Sequence, residues 1–336
     1  MRFDNDTKQR IVLYILEKIS ENRTGITVAT TENFSISKNT VINYLKELQT
    51  NGIIEKVKRD TYKLVTTSSA FVLKKNDNQL SDEQKIYDKF VFPLIKDFQP
   101  NVLEIWLYVI SEMVNNVIDH SEATELNIQI NQDHLKTEII LADNGIGIFN
   151  KIQKHFSLDD SDDAICELFK GKLTTDESNH SGEGIFFTSK ILDSFAILSC
   201  GKVFTMDKFN NSQLESNLLN SSGTIVSMEL SNFTNKRMSD VFDRFSTVEQ
   251  GVIKTIIPLK NAFVSAPVSR SQAKRVCARL ERFREVVLDF SDISWAGQGF
   301  MHEIFVVFAK RNPDIKITPV NMSEDIQNML GHVVNG

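Results

Sequence analysis

Apolar residues recur every third or fourth position in three early stretches, the spacing of a helix with one buried face. Residues 9–19 (QRIVLYILEKI) predict a first helix, 28–34 a short second one and 35–52 a third. In the third, Val41, Leu45 and Leu48 form the apolar face and Gly52 closes the helix. Residues 53–57 and 62–65 then read as the strands of a hairpin around the tip Lys58, Arg59 and Asp60. Residues 111–121 predict a helix, and 138–142 (EIILA) and 225–230 (IVSMEL) predict strands. From about residue 250, strands at 252–259, 285–290 and 315–320 alternate with helices at 269–283, 299–311 and 323–333, a small α/β unit with Ser269 as a helix cap. Residues 67–80 read as a polar joint, and 232–250 as a second joint holding a short helix. The pattern therefore predicts an α+β chain with domains at 1–66, 81–231 and 251–336.

Composition changes that picture little. A length of 336 residues suits two or three domains, and 24% charged with 41% hydrophobic residues is ordinary for a water-exposed surface over packed cores. Cys166, Cys200 and Cys277 are far apart and lack metal-site spacing, so they read as buried thiols in a reducing compartment. The first ten residues, MRFDNDTKQR, contain no apolar core of a signal peptide, and no run approaches the roughly 20 apolar residues of a membrane span. A cytoplasmic location and no membrane partner are the expectation. Charge is uneven: residues 1–66 hold 11 Lys and Arg against 8 Asp and Glu, a balance of +3 within a chain of net charge −6.

Three central segments carry the candidate chemistry. In 111–121 (SEMVNNVIDHS), Glu112, Asn116 and His120 step by four, so one helix face offers a carboxylate, a carboxamide and an imidazole. Asp143 opens the glycine-rich turn DNGIG directly after the strand at 138–142. The run 181–188 (SGEGIFFT) takes a Gly-x-Gly into a helix, where free N–H groups can hold phosphate. In this order, and followed by Gly223 and Thr224 before the strand at 225–230, the segments resemble the motifs of the GHKL ATPases, the superfamily of DNA gyrase, histidine kinases and MutL. The first resembles the box E-x-x-x-N-x-x-D-H, the second D-x-G-x-G and the third the glycine box beside the lid.

The resemblance implies a Bergerat-type α/β sandwich that binds ATP and Mg²⁺. It implies that Asn116 holds the metal, which needs few protein ligands beside phosphate, and that Glu112 is the catalytic group that orients and deprotonates a water or a hydroxyl. Asp143 would accept from the adenine amine, and Gly145 and Gly147 would let the backbone approach the purine. Gly182 and Gly184 would do the same at the phosphates, with the next helix adding positive potential. Asp119, His120 and Thr224 complete the nucleotide set, and Lys172, Thr174 and Thr175 are lid candidates.

The flanks carry two further resemblances. Helix, helix, polar-fronted helix and basic hairpin resemble a winged helix-turn-helix over 1–66. That implies duplex DNA as partner, with Ser37, Lys38, Asn39, Thr40 and Asn43 facing bases and Lys58 and Arg59 on the phosphates. A protein-contact module is the other use of such a domain. The segments 268–276, 288–293 and 296–305 resemble a STAS-like domain. Where the phosphoacceptor serine of anti-sigma-factor antagonists would stand, residues 295–300 (WAGQGF) have no hydroxyl, and Ser291 and Ser294 lie before it. This favours a module that docks a protein partner or a second copy, with Gln298, Glu303 and the loop glycines as its approach surface. The expected function is a cytoplasmic ATP-binding, ATP-hydrolysing regulator that couples nucleotide state to DNA or partner binding. The alternative is a serine/threonine protein kinase of the anti-sigma-factor type acting on a separate protein.

Overall fold

The computed structural model describes residues 4–21, 23–58, 60–171, 182–206, 223–247, 251–263 and 266–335. The chain divides into two compact units, one of Met1–Ala70, Gln129–Ile139 and Glu229–Thr234, the other of Phe71–Ile128, Ile140–Met228 and Asn235–Gly336.

The first unit opens with helices α1 (Asn5–Ser20), α2 (Ile26–Phe34) and α3 (Lys38–Thr50) and the antiparallel hairpin β1 (Ile54–Lys58) and β2 (Thr61–Leu64). Asp4 caps α1 through the Thr7 N–H at 2.7 Å. Ile11, Ile15, Leu16, Ile19, Ile26, Val41, Leu45, Leu48 and Ile54 form one buried core, and Leu135 packs against it. The third helix begins later than the pattern suggests. Ser37 is its cap rather than part of its face, because the Ser37 hydroxyl accepts the Thr40 N–H at 3.1 Å.

A six-stranded sheet has the order β3-β4-β5-β8-β6-β7, with β3 at Thr67–Lys74, β4 at Glu125–Gln132, β5 at Lys136–Asp143, β6 at Ser194–Ser199, β7 at Lys202–Thr205 and β8 at Thr224–Ser231. The edge strand β3 corrects the expectation of a joint at 67–80. Its residues are mostly exposed, and only Leu73 is fully buried, so its composition reads as linker although its backbone pairs.

In the second unit, short helices α4 (Glu83–Ile86) and α5 (Phe92–Ile95) lead to α6 (Pro100–Asn115). Val102, Ile105, Trp106, Val109, Ile110, Met113 and Val114 bury one face of α6. Helices α7 (Ile148–Phe156), α8 (Ser161–Lys170) and α9 (Gly184–Ile191) follow, then α10 (Met238–Phe245), which lies in the stretch read as the second joint. The C-terminal part is a parallel sheet β11-β12-β13, preceded by the two-residue strands β9 (Ser246–Thr247) and β10 (Gly251–Val252). Its strands are Lys254–Pro258, Glu285–Asp289 and Lys316–Val320, and its helices are α11 (Leu259–Ala262), α12 (Arg270–Cys277), α13 (Gln298–His302), α14 (Ala309–Arg311) and α15 (Glu324–Asn335). Ser269 caps α12 in a full capping box with Gln272. Cys166 and Cys277 are buried, with burial raising both thiols and Cys277 reaching about 12, whereas Cys200 is half-exposed rather than buried.

Candidate nucleotide site

Helix α6 delivers the first group. It continues into a π-helical turn at Asn116–His120, so the ladder widens just where the polar residues begin. Glu112, Asn116 and His120 face one cavity as their spacing predicts, and Asn115, three residues after Glu112, joins the same wall. Ser121 ends the turn. Its hydroxyl donates to the Val117 carbonyl at 2.7 Å, and its own carbonyl accepts the Ile146 N–H at 2.9 Å. The helix end is thereby joined to the glycine loop.

Asp143 ends β5 and is only 9% exposed. Burial pushes its carboxyl above the usual carboxylate range, while N–H groups of Gly145 and Thr224 act in the opposite direction. The Gly145 bond is 2.7 Å long. Gly145 is also held by the chain itself. A Cβ there would collide with the Ser121 carbonyl, so the turn against α6 itself requires a bare residue. Gly147, at φ +82°, does reach the cavity. Thr224 closes the loop from below, its hydroxyl accepting the Ile148 N–H at 3.0 Å. A Cβ on the preceding Gly223 would strike the Asp143 carbonyl, which explains a glycine at that position.

The start of α9 supplies the third side. Gly182 and Gly184 line the cavity, and a Cβ on Gly184 would collide with Glu112 Oε2. The Glu112 carboxylate therefore lies against the first turn of α9, the positive end of that helix. Tyr108, one turn before Glu112, has its phenol pushed up by burial and by the charges of Glu112 and Glu183. The cavity encloses about 390 Å³, in the range of small-molecule sites.

Two segments of the chain match known families. Residues 104–232 match the histidine kinase-, DNA gyrase B- and HSP90-like ATPases. The chain carries a GHKL-type ATPase domain. Residues 272–327 match a STAS-like domain of unknown function (DUF4325). No curated protein matches the chain.

Within the GHKL-type domain the structure brings Glu112, Asn116, His120, Asp143, Gly147, Gly182, Gly184 and Thr224 onto one cavity. Gly145 stands behind Asp143, off the wall. Asp119 is exposed and also off the wall, because the outer side of the π turn faces away from the cavity. Lys172, Thr174 and Thr175 lie outside the described residues. Lys151 on α7 is the cation that the motifs do not flag. It lines the cavity and its ammonium donates to the His120 carbonyl at 2.7 Å. Its signal in the sequence is its place as the first basic residue after the DNGIG turn. Leu168 and Gly171, at the end of α8, also line the cavity without any motif.

On α3, Lys38, Asn39 and Asn43 are exposed, and so is Ile42 between them. Ser37 is exposed but its hydroxyl lies 2.9 Å from that of half-buried Thr40, so both serve the cap. Lys58 is exposed at the end of β1, and Arg59 lies outside the described residues. In the STAS-like domain Ser291, Ser294 and Gln298 are exposed and Glu303 is half-buried. The Ser291 hydroxyl donates to Asp289 at 2.7 Å. Of the loop glycines, Gly297 is buried and Gly299 half-exposed. A Cβ on Gly297 would collide with the Val268 carbonyl, and the Gly297 N–H donates to the Pro267 carbonyl at 2.9 Å, so the close approach is within the domain.

Proposed function

We propose that the chain is an ATP-binding regulator that hydrolyses ATP slowly and couples nucleotide state to what its flanking domains hold. One observation carries this reading. Residues from four separated stretches, each plain by itself, line a single cavity inside a GHKL-type ATPase domain.

The residues fit ATP with magnesium. Asp143 presents a buried acceptor beside two backbone donors, suited to an exocyclic amine and unsuited to the carbonyl of guanine. The N-terminus of α9, with Gly182 and Gly184 bare of side chains, suits phosphate oxygens. Asn116 would hold magnesium through its carboxamide oxygen, and the ion would neutralise phosphate charge there. Glu112 is the one carboxylate on the α6 wall. It would orient a water and take its proton, held in place by the first turn of α9. Lys151, from α7, adds a positive charge beside His120.

For residues 1–66 we propose a winged helix-turn-helix that binds duplex DNA. Its support is the order α1, α2, α3, β1, β2, with Lys38, Asn39 and Asn43 exposed on α3 and Lys58 at the hairpin. Ile42, exposed among them, suits a thymine methyl group. For the STAS-like domain we propose a protein partner or a second copy.

Incubation of the full chain with γ-labelled ATP and magnesium tests the reading, with free phosphate and label on protein followed separately. Free phosphate without labelled protein is the expected result. Stoichiometric label on a protein serine or threonine would replace the regulator by a kinase, and neither product despite binding would make it a switch that does not hydrolyse.

A further inference from the structure

One side-chain cluster in the second unit plays no part in the site described above. Lys170, the last residue of α8, is fully buried beside Glu167, which is 4% exposed. All three donors of the Lys170 ammonium are engaged. One meets Glu167 at 2.7 Å, and the others meet the carbonyls of Arg275 and Ala278, at the C-terminal end of α12, at 2.7 and 2.8 Å. Arg279 reaches the other oxygen of Glu167 at 2.9 Å, and its guanidinium lies 4.2 Å from the ring centre of Phe156. Its backbone sits at φ +58°, uncommon for a residue with a side chain. Arg275 pairs with Asp163 at 2.9 Å, and Thr255 on β11 donates to the Phe169 carbonyl at 3.3 Å. α8 is therefore fixed along its length to the STAS-like domain.

A buried ion pair is a poor way to gain stability, because desolvation offsets most of the attraction. It is a good way to fix one arrangement of two elements. The residues whose place it fixes are Leu168 and Gly171, both on the cavity wall. Gly171 has φ +80°, and a Cβ there would stand 2.6 Å from the ring of Phe186. Phe186 belongs to α9 and lines the same cavity. The path from α12 to the phosphate end of the cavity is thus continuous: α12, Lys170 with Glu167, the end of α8, Phe186, and the first turn of α9.

We propose that Glu167 and Lys170 are positioning residues of the nucleotide cavity, using α12 of the STAS-like domain as their anchor and acting through Leu168, Gly171 and α9. This rests on reading the cavity as an ATP site. A wall held in place before binding removes an ordering cost that the ligand would otherwise meet. Reciprocity follows: whatever shifts α12 changes nucleotide affinity, and nucleotide changes the hold on α12 by the same factor.

The test uses the full chain with Arg279→Ala and Arg279→Lys. Calorimetry with ATP and magnesium gives affinity, and amide hydrogen exchange without nucleotide gives the order of 168–171 and 184–191. Arg279→Ala should weaken ATP roughly tenfold, an ordinary size for coupling between two parts of a fold. It should also speed exchange in 184–191 more than in α6, although losing a partner of the buried Glu167 lowers the thermal midpoint. Arg279→Lys, which keeps the positive charge, should recover most of the affinity. Unchanged or tighter ATP binding by Arg279→Ala overturns the proposal, and so does faster exchange confined to α12. A parent protein that binds no ATP would sink the nucleotide reading itself. Exchange in 184–191 would then decide the anchoring alone, faster in Arg279→Ala if it holds and unchanged if it does not.

Discussion

Among the described residues Glu112 and Asp143 are the carboxylates on the cavity wall, and their surroundings differ. Glu112 lies against the first turn of α9. Asp143 is desolvated, and its charge is opposed by burial more than it is helped by two N–H donors. If Glu112 is the base, Glu112→Ala leaves ATP binding largely intact and slows phosphate release by about 10² or more, measured by single-turnover kinetics. Asp143 gives a pH prediction for the protein without nucleotide. Its folded pKa lies above the unfolded value of 3.8, so the folded form holds the proton more tightly and stability falls as pH rises through the window above 3.8. Asp143→Asn removes that penalty. Its thermal midpoint should match or exceed the parent's at pH 7, and the difference should shrink as pH falls toward 3.8. A variant that is less stable at pH 7 and relatively better at low pH would contradict the sign.

At the scale of elements, what the sequence pattern reveals depends on how each element is buried. α6 is legible because seven apolar residues share one face and the polar triad steps by four on another. The π turn is not legible, since nothing in Asn116–His120 announces a wider ladder. β3 is missed because an edge strand needs little apolar surface and takes most of its definition from backbone pairing. Lys170 and Glu167 are missed for a related reason. A charged pair reads as solvated helix surface until its partners on α12, more than a hundred positions away in sequence, are known. Gly145 and Gly297 show the same limit, for a glycine in a motif does not reveal whether a ligand or the chain itself approaches it. Ser37 marks the start of α3 only through its cap. Ser37→Ala should cost about 1 kcal/mol of helix stability and speed amide exchange at the start of α3 about fivefold. Unchanged exchange there would show the cap to be dispensable.

Across the whole molecule, charge is segregated. The balance of +3 over 1–66 stands against −6 for the chain, so the acidic remainder disfavours nucleic acid and any DNA contact belongs to the N-terminal part. Among the described residues no helix is long and apolar enough to cross a membrane. Full-length protein should shift duplex DNA at low salt, with affinity falling steeply as salt rises. Lys58→Ala with Arg59→Ala should weaken all sequences alike, and Asn39→Ala should also relax sequence choice. No shift at low salt would make 1–66 a protein-contact module. The account as a whole depends on the cavity between α6, the DNGIG loop and α9 being selective for adenine nucleotide. Calorimetric titration of the full chain with ATP and with GTP, each with magnesium, measures that directly. The account predicts that ATP binds, that GTP binds far more weakly and that Asp143→Asn narrows the gap. Equal binding of both nucleotides, or of neither, would contradict it.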